Sequence, residues 1–425
     1  MGVFTRATAS RSRTRTITLG SLAILGASAL VLTGCSSPGG GDGDSDQPAG
    51  DLTLKIGTQL PQTGNLAFLG PPEEAGVGLA AKEINDADLG IEIDVVYGDS
   101  GDTDNKAYAT EVPRLLQEGV SAIIGAAASG VTKLFIDQVT GEGVIQFSPA
   151  NTSADFTTWD DNGLFWRTAP SDVLQGEVLG NLIAEDGNET LGILYLNDSY
   201  GTGLAEFTTE AFENAGGEVV EQQSYNTGDT SFDAQVSALK AANPDAIALI
   251  AFEETKTIVP ALAGFPSDKL YFVDGNLADY SADFPAGTLT GAKGTLPGLD
   301  TESLGDFTDR LQEFWQGEGN EELKDYSYAA ESYDAVVLLA LAAMAAGSTD
   351  GEDIAAELQE VSGGSGEGTK CSSFTECAEL LNEGETIDYD GNSGPVTFDE
   401  NGDPTEATIG VFQYLEDNTY ERISE

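Results

Sequence analysis

The chain has 425 residues, room for two or three domains at roughly 150 residues each, and its 40% apolar content with 52 glycines belongs neither to a disordered chain nor to a simple repeat. Acidic residues number 72 against 18 basic ones, a formal charge of −54, and histidine is absent. A nucleic-acid partner is excluded because little here can replace counterions on a phosphate backbone, and the commonest general base, His-dependent serine triads and most zinc chemistry go with the missing histidine.

The amino terminus is an address. Arg6, Arg11, Arg13 and Arg15 precede a mostly apolar run over 17–32, and the first acid is Asp42. That run is short of the ~20 apolar residues a membrane span needs and suits the core of a signal peptide. It ends in Leu32-Thr33-Gly34-Cys35, which resembles the lipobox of bacterial lipoproteins, so residues 1–34 are expected to be removed and Cys35 to be acylated. An ordinary secretory signal that merely contains a cysteine is the rival reading. Residues 35–50 are rich in Gly, Ser and Asp and read as a flexible tether. Asp42, Asp44 and Asp46 imitate an EF-hand start, but Gln47 and Thr53 stand where the turn glycine and the bidentate acid belong. Beyond residue 34 there are 14 basic and 72 acidic residues, a surface that stays soluble and repels anionic partners.

From Thr53 onward, short apolar runs alternate with helical patterns. Strands are predicted over 54–60, 91–97, 122–126, 144–148, 191–196, 218–224, 246–251 and 270–273. Helix-length segments lie between them, over 73–86, 103–118, 130–140, 172–185, 201–215, 231–242 and 254–263. Continuous apolar strands alternating with helices make parallel sheets covered on both faces, and eight such strands divide more comfortably into two α/β lobes. Asp102 or Thr103 is placed to cap the helix that Gly119 closes, with Pro113 expected to kink or split it. The alanine- and leucine-rich 328–346 has an uncharged stretch too short for a bilayer and reads as a buried helix. Near the end, 396–398 and 408–414 flank Asp399-Glu400-Asn401-Gly402-Asp403 as a hairpin signature.

Cys371 and Cys377, separated by five residues in an exported chain, read as a disulfide closing a small loop; two thiolates without histidine do not complete a metal site. Asp388, Asp390, Asn392 and Asp399 sketch a calcium loop, but Ser393 takes the turn-glycine slot. No metal or cofactor is expected.

Several strings then occur in order: Leu60-Pro61-Gln62-Thr63-Gly64 with Phe68-Leu69-Gly70, Ile123-Ile124-Gly125 with residues 126–129, and Phe147 through Thr152. Arg167-Thr168-Ala169-Pro170, Asn197 through Gly201, and Gly394 through Phe398 follow. Together they resemble the branched-chain-amino-acid type of solute-binding protein that serves ABC importers. The resemblance implies the type I periplasmic binding protein fold, an α/β pair of Rossmann-like lobes joined by a three-strand hinge that closes on its ligand. The lobes would be 51–168 with 299–389, and 169–298 with 390–425, crossing near Thr168, Gly298 and Tyr389.

Ligands of open α/β sheets sit beyond the carboxyl ends of strands. Ser129-Gly130 and Asn151-Thr152 follow strands in that way, and the resemblance assigns them the α-carboxylate and α-amino groups of the solute. Plain helix capping is compatible with the same residues. Tyr200 matches the tyrosine that closes over the ligand, and Phe68 and Leu69 the loop lining its side-chain pocket. Asn276 stands at the position of the family's ammonium-pairing glutamate; a neutral amide is a weaker partner for a cation, and Glu253 or Asp274 is the carboxylate placed to compensate. Amides, urea and aromatic acids therefore stay open beside amino acids.

The function expected is that of a non-enzymatic, monomeric lipoprotein on the outer face of the cytoplasmic membrane, partnered by a small solute and by permease and ATPase subunits. A sensory receptor of the same fold is the alternative. A secreted hydrolase is disfavoured by the missing histidine and the absence of a G-x-S-x-G elbow.

Overall fold

A computed structural model describes residues 52–299, 304–366 and 368–424; Cys35, the signal region and the tether lie outside the described residues. The first part of the chain runs β1 (Leu52–Gln59), α1 (Gly70–Ala87), β2 (Ile91–Val96), α2 (Tyr108–Glu118), β3 (Ala122–Gly125), α3 (Ser129–Thr132), α4 (Ile136–Thr140), β4 (Ile145–Ser148) and β5 (Phe165–Arg167). These five strands form a wholly parallel sheet in the order β2-β1-β3-β4-β5. The second part runs α5 (Asp172–Glu185), β6 (Thr190–Leu196), α6 (Ser199–Asn214), β7 (Glu218–Tyr225), α7 (Asp233–Ala242), β8 (Ala246–Ile250), α8 (Thr255–Ala261), β9 (Leu270–Phe272) and β10 (Lys293–Pro297).

The chain then returns with α9 (Phe307–Gly317), α10 (Ala329–Ala346), α11 (Gly351–Val361), β11 (Thr369–Cys371), α12 (Phe374–Asn382), β12 (Ile387–Gly391) and β13 (Gly394–Pro395). It ends in β14 (Ile409–Tyr414) and β15 (Tyr420–Ser424), which extend the second sheet antiparallel to β10, giving the order β15-β14-β10-β9-β8-β6-β7. β11, β12 and β13 make a small separate sheet. The architecture is the expected α/β pair of lobes.

All eight strands expected from apolar runs form. β5 and β10 were not expected, because Phe-Trp-Arg and Lys-Gly-Thr-Leu-Pro present no continuous apolar run; their pairing is decided by neighbours already in the sheet. α2 begins at Tyr108 rather than 103 because Asp102 Oδ1 instead accepts from the amides of Asp104 and Asn105, at 2.9 and 2.7 Å. Pro113 is accommodated inside that one helix, and Gly119 closes it in the left-handed conformation.

The first core surrounds α10. Ala329 through Ala343 are all buried there, so a helix apolar enough by length and composition to cross a membrane is instead 83% buried within the protein. α1 lies close against it: a Cβ on Gly76 would stand 2.3 Å from the carbonyl oxygen of Ala329. The Cys371–Cys377 disulfide joins β11 to α12 at the edge of this core.

The expected turn over 399–403 forms, closed by Asp399 N–H to the Asp403 carbonyl at 2.9 Å and Thr405 N–H to the Thr397 carbonyl at 2.8 Å, but 396–398 does not pair with 408–414. Val396 and Phe398 are buried in the first core, where Phe398 meets Phe147 and Trp166 edge-on at 6.0 and 5.1 Å, and β14 pairs with β10 and β15 instead. Tyr389 is itself buried in the first core, as are Val396 and Phe398, whereas Tyr414 packs in the second. The local turn is kept, and aromatic burial against the first sheet holds its first arm away from β14.

Candidate functional site

Two loops leave the carboxyl ends of β3 and β4 and are tied to each other. Asn151 Nδ2 donates to the carbonyls of Ala126 and Ala127 at 2.9 and 2.8 Å, and Ser148 Oγ donates to Ala126 at 2.8 Å. Arg167, fully buried at the end of β5, donates through Nη1 to the carbonyls of Asn151 and Ser153 at 3.2 and 2.8 Å. Its own charge is met by Asp403, with Nε and Nη2 at 2.6 and 2.8 Å from the carboxylate. The loops are thus braced from behind by a forked ion pair, the geometry that makes Arg–carboxylate contacts directional.

The front of these loops faces a small cavity between the lobes. Leu66, Leu69, Ala127, Ser129, Ala150, Thr152 and Tyr328 contribute from the first lobe, and Tyr200, Phe252, Asp274 and Gly275 from the second. Its free space is only about 10 Å³, roughly one water, because the lobes are shut on each other. Asn65 Nδ2 reaches Glu254 Oε1 at 2.8 Å, the Glu253 amide donates to Asn65 at 3.2 Å, and Ser153 Oγ donates to Ser199 at 3.2 Å. Leu66, Leu69, Ala127, Ala150 and Tyr328 consequently pack with the second core.

One carboxyl faces this cavity. Asp274 Oδ1 accepts from the Tyr200 hydroxyl at 2.6 Å and from Gln175 Nε2 at 3.1 Å, while Oδ2 accepts from the Tyr328 hydroxyl at 2.8 Å. Burial pushes its carboxyl above the usual range, and the hydrogen bonds from Tyr200, Tyr328, Gln175 and the Gly275 amide hold it back. Tyr200 stacks on Phe252, 5.3 Å between centroids, so an aromatic wall adjoins the acid. Behind Thr152, Asp172 is fully buried; burial and then Asp274 push its carboxyl well above the usual range. No hydrogen bond of normal geometry reaches its oxygens or Thr152 Oγ1, but the Thr152 hydroxyl stands near enough to hold the carboxyl back in part.

The expected site residues divide. Leu69, Ser129, Thr152 and Tyr200 line the cavity. Asn151 instead spends its side-chain amide on the loop backbone, and Gly130 lies against the Asp198 carboxylate rather than the cavity. Phe68 and Glu253 line a separate pocket that shares no residue with this cavity, and Glu253 pairs with Lys256 at 3.0 Å on the surface. Asn276 is fully buried with its amide satisfied by Leu249, Thr255 and the Val273 amide; it braces the end of β9 and does not reach the cavity, where Asp274 stands instead. Leu66, Phe252 and Tyr328 were not legible in the sequence. Tyr328 reaches the site from the start of α10 with φ 60°, and no local pattern announces that.

A cavity closed between two parallel-sheet lobes, with apolar walls and one converging carboxyl, defines a small-solute binding protein. Residues 53–413 match the family described as periplasmic binding protein, and the chain belongs to that family. It is 32% identical over 194 residues to the leucine-, isoleucine-, valine-, threonine-, and alanine-binding protein of Pseudomonas aeruginosa, covering 45% of this chain and 51% of that one, about half of that relative's length. Over 313 residues it is 28% identical to Leu/Ile/Val-binding protein homolog 1 of Brucella suis, covering 72% and 82% of the two chains. The fold is that of the leucine binding protein LivK of Thermotoga maritima, with TM-score 0.72 at 23% identity over 87% of this chain and 98% of that one. These relatives are solute-binding proteins, not enzymes, and the family implies an extracytoplasmic location.

Proposed function

We propose that the chain is the lipid-anchored receptor of an ABC importer and that its solute is an α-amino acid with an apolar side chain. The observation that carries this reading is Asp274, a carboxylate held at the lobe interface by Tyr200 and Tyr328. An ionised carboxylate attracts an ammonium, and the Tyr200 and Tyr328 hydroxyls, which rotate about their C–O bonds, can yield an acceptor position to it. Across the cavity, Ser129 and Thr152 supply hydroxyls for a carboxylate, and Leu66, Leu69 and Phe252 supply apolar walls. Of the two carboxylates placed to compensate for Asn276 at the family's glutamate position, Asp274 rather than Glu253 thereby takes the ammonium role. The solute enters when the lobes part, and their closure strengthens each polar contact by excluding water. The names of the relatives agree with the solute class.

Calorimetric titration of the mature chain with leucine, isoleucine and valine, beside benzoate and urea, tests the reading. Saturable binding of the amino acids, weakened by Asp274→Asn, is expected. Binding of benzoate or urea without the amino acids overturns it.

A further inference from the structure

A second inter-lobe cavity lies on the far side of Tyr328 from the solute cavity. It holds about 340 Å³ of free space, and Tyr328 lines both. One wall comes from the second sheet, where Phe412 and Tyr420 pack edge to face, 5.6 Å between centroids. The other comes from the start of α10 and the segment before it. Among the described residues, three carboxyls line the cavity, Asp279, Asp325 and Glu331, against a single lysine, Lys324.

Two of the three acids are already engaged. Asp279 Oδ1 accepts from the Ser281 amide at 2.8 Å, and Asp325 Oδ1 from the Ser327 amide at 2.7 Å. Glu331 is different. It is only 6% exposed and lines the cavity beside the hinge, where a Cβ on Gly298 would come within 2.8 Å of its Oε1. The only hydrogen bond its carboxyl receives is from its own backbone amide, and no ion pair reaches it among the described residues. A buried carboxyl left without a counter-charge keeps its proton rather than bear the cost of ionising, a proton that an entering cation displaces to solvent, and here the space beside it is walled by aromatic rings. Arg422 lies 5.8 Å from the Phe412 ring and reaches the Gly298 carbonyl at 3.4 Å, so Phe412 already carries a cation and Tyr420 and Tyr328 are the rings left for another.

We propose that this cavity is a second binding site, for a small organic cation, with Glu331 as counter-charge and Tyr420 and Tyr328 as aromatic walls. Rings presented to a cation attract it through their quadrupole, the more so when water is excluded, and the excess of carboxyls over lysine sets the sign of the ligand. Because the walls come from both lobes, an occupant bridges them. Because Tyr328 also holds Asp274, the occupant contacts a residue of the solute cavity. By linkage, whatever factor the cation adds to solute affinity the solute adds to cation affinity.

Tetramethylammonium and n-butylammonium are the probes, titrated into the solute-free mature chain by calorimetry and native mass spectrometry at low salt. One equivalent should bind saturably. Glu331→Gln should weaken it about tenfold or more, with Tyr420→Leu a second variant should the first not fold, and thermal melting checks each fold. Ser129→Ala, which alters the solute cavity alone, should leave cation affinity unchanged within about twofold. Absence of saturable binding to the wild-type chain, or equal affinity in folded Glu331→Gln and Tyr420→Leu, overturns the proposal. Loss of cation binding in Ser129→Ala also overturns it, by moving the cation to the solute cavity. None of these outcomes depends on which solute the first site takes.

Discussion

Arg167 and Asp403 form a forked ion pair across 236 positions of sequence, with both contacts below 3 Å and the arginine wholly buried. The remaining guanidinium nitrogen bears on the loop that carries Thr152. The pair therefore joins the last strand of the first sheet, the site loop and the segment that leads into β14.

Removing one partner of such a pair leaves a buried charge uncompensated, which costs about 3–5 kcal/mol. Asp403→Ala should therefore lower the free energy of urea unfolding by that order. It should also weaken solute binding, since Arg167 then loses its anchor beneath the site loop. Unchanged stability would mean that the pair is replaced by water without loss.

Asp274→Asn should weaken binding of an α-amino acid by roughly tenfold to a hundredfold, because a hydrogen bond to a charged group contributes about 1.5–3 kcal/mol. Glu253→Gln should be nearly silent, since that carboxylate sits outside the cavity beside Lys256. Ser129→Ala and Thr152→Ala should each cost about tenfold. A calorimetric series on the four variants checks the order.

The buried acids around α1 and α10 set a pH dependence of stability opposite to the usual one. Burial, reinforced by Asp334, pushes Glu331 up to about 8 from 4.5. Glu73, fully buried with neither oxygen bonded, is also pushed well up by burial and then by Glu74, Glu331 and Asp325. Between these values the folded chain keeps a proton that the unfolded chain has lost. Stability is therefore full at low pH, below the unfolded value, and declines as pH rises towards 8, by up to about 1.4 kcal/mol per pH unit for each group. Melting measured near pH 5.5 should exceed that near pH 8 by a few degrees, and Glu331→Gln should flatten the difference.

Cys35→Ala should yield a chain that is unprocessed or released from the membrane. The basic start, the apolar run and the Leu32–Cys35 box motivate this, and several acyl chains are needed for stable anchoring. Detergent-phase partitioning compares the two chains; equal partitioning refutes acylation at Cys35.

What local sequence determined was eight of the parallel strands, the buried character of α10 and the placing of Ser129 and Thr152 just past strands. Each is announced by a pattern a few residues long, whereas Leu69 and Tyr200 are marked only by resemblance to a family. The tertiary structure alone decided the rest. Asp274 and Asn276 are two residues apart on one short turn, and only the packing of β9 against β8 sends the amide inward to Leu249 and the acid outward to Tyr200. The turn after Phe398 forms as its residues announce, but burial of Val396 and Phe398 in the first core, with Phe398 against Trp166, keeps that arm from pairing with β14. Tyr328 enters the site from a helix start remote in sequence. Contacts such as these depend on which surfaces meet when two lobes close, and no window of neighbouring residues encodes that meeting.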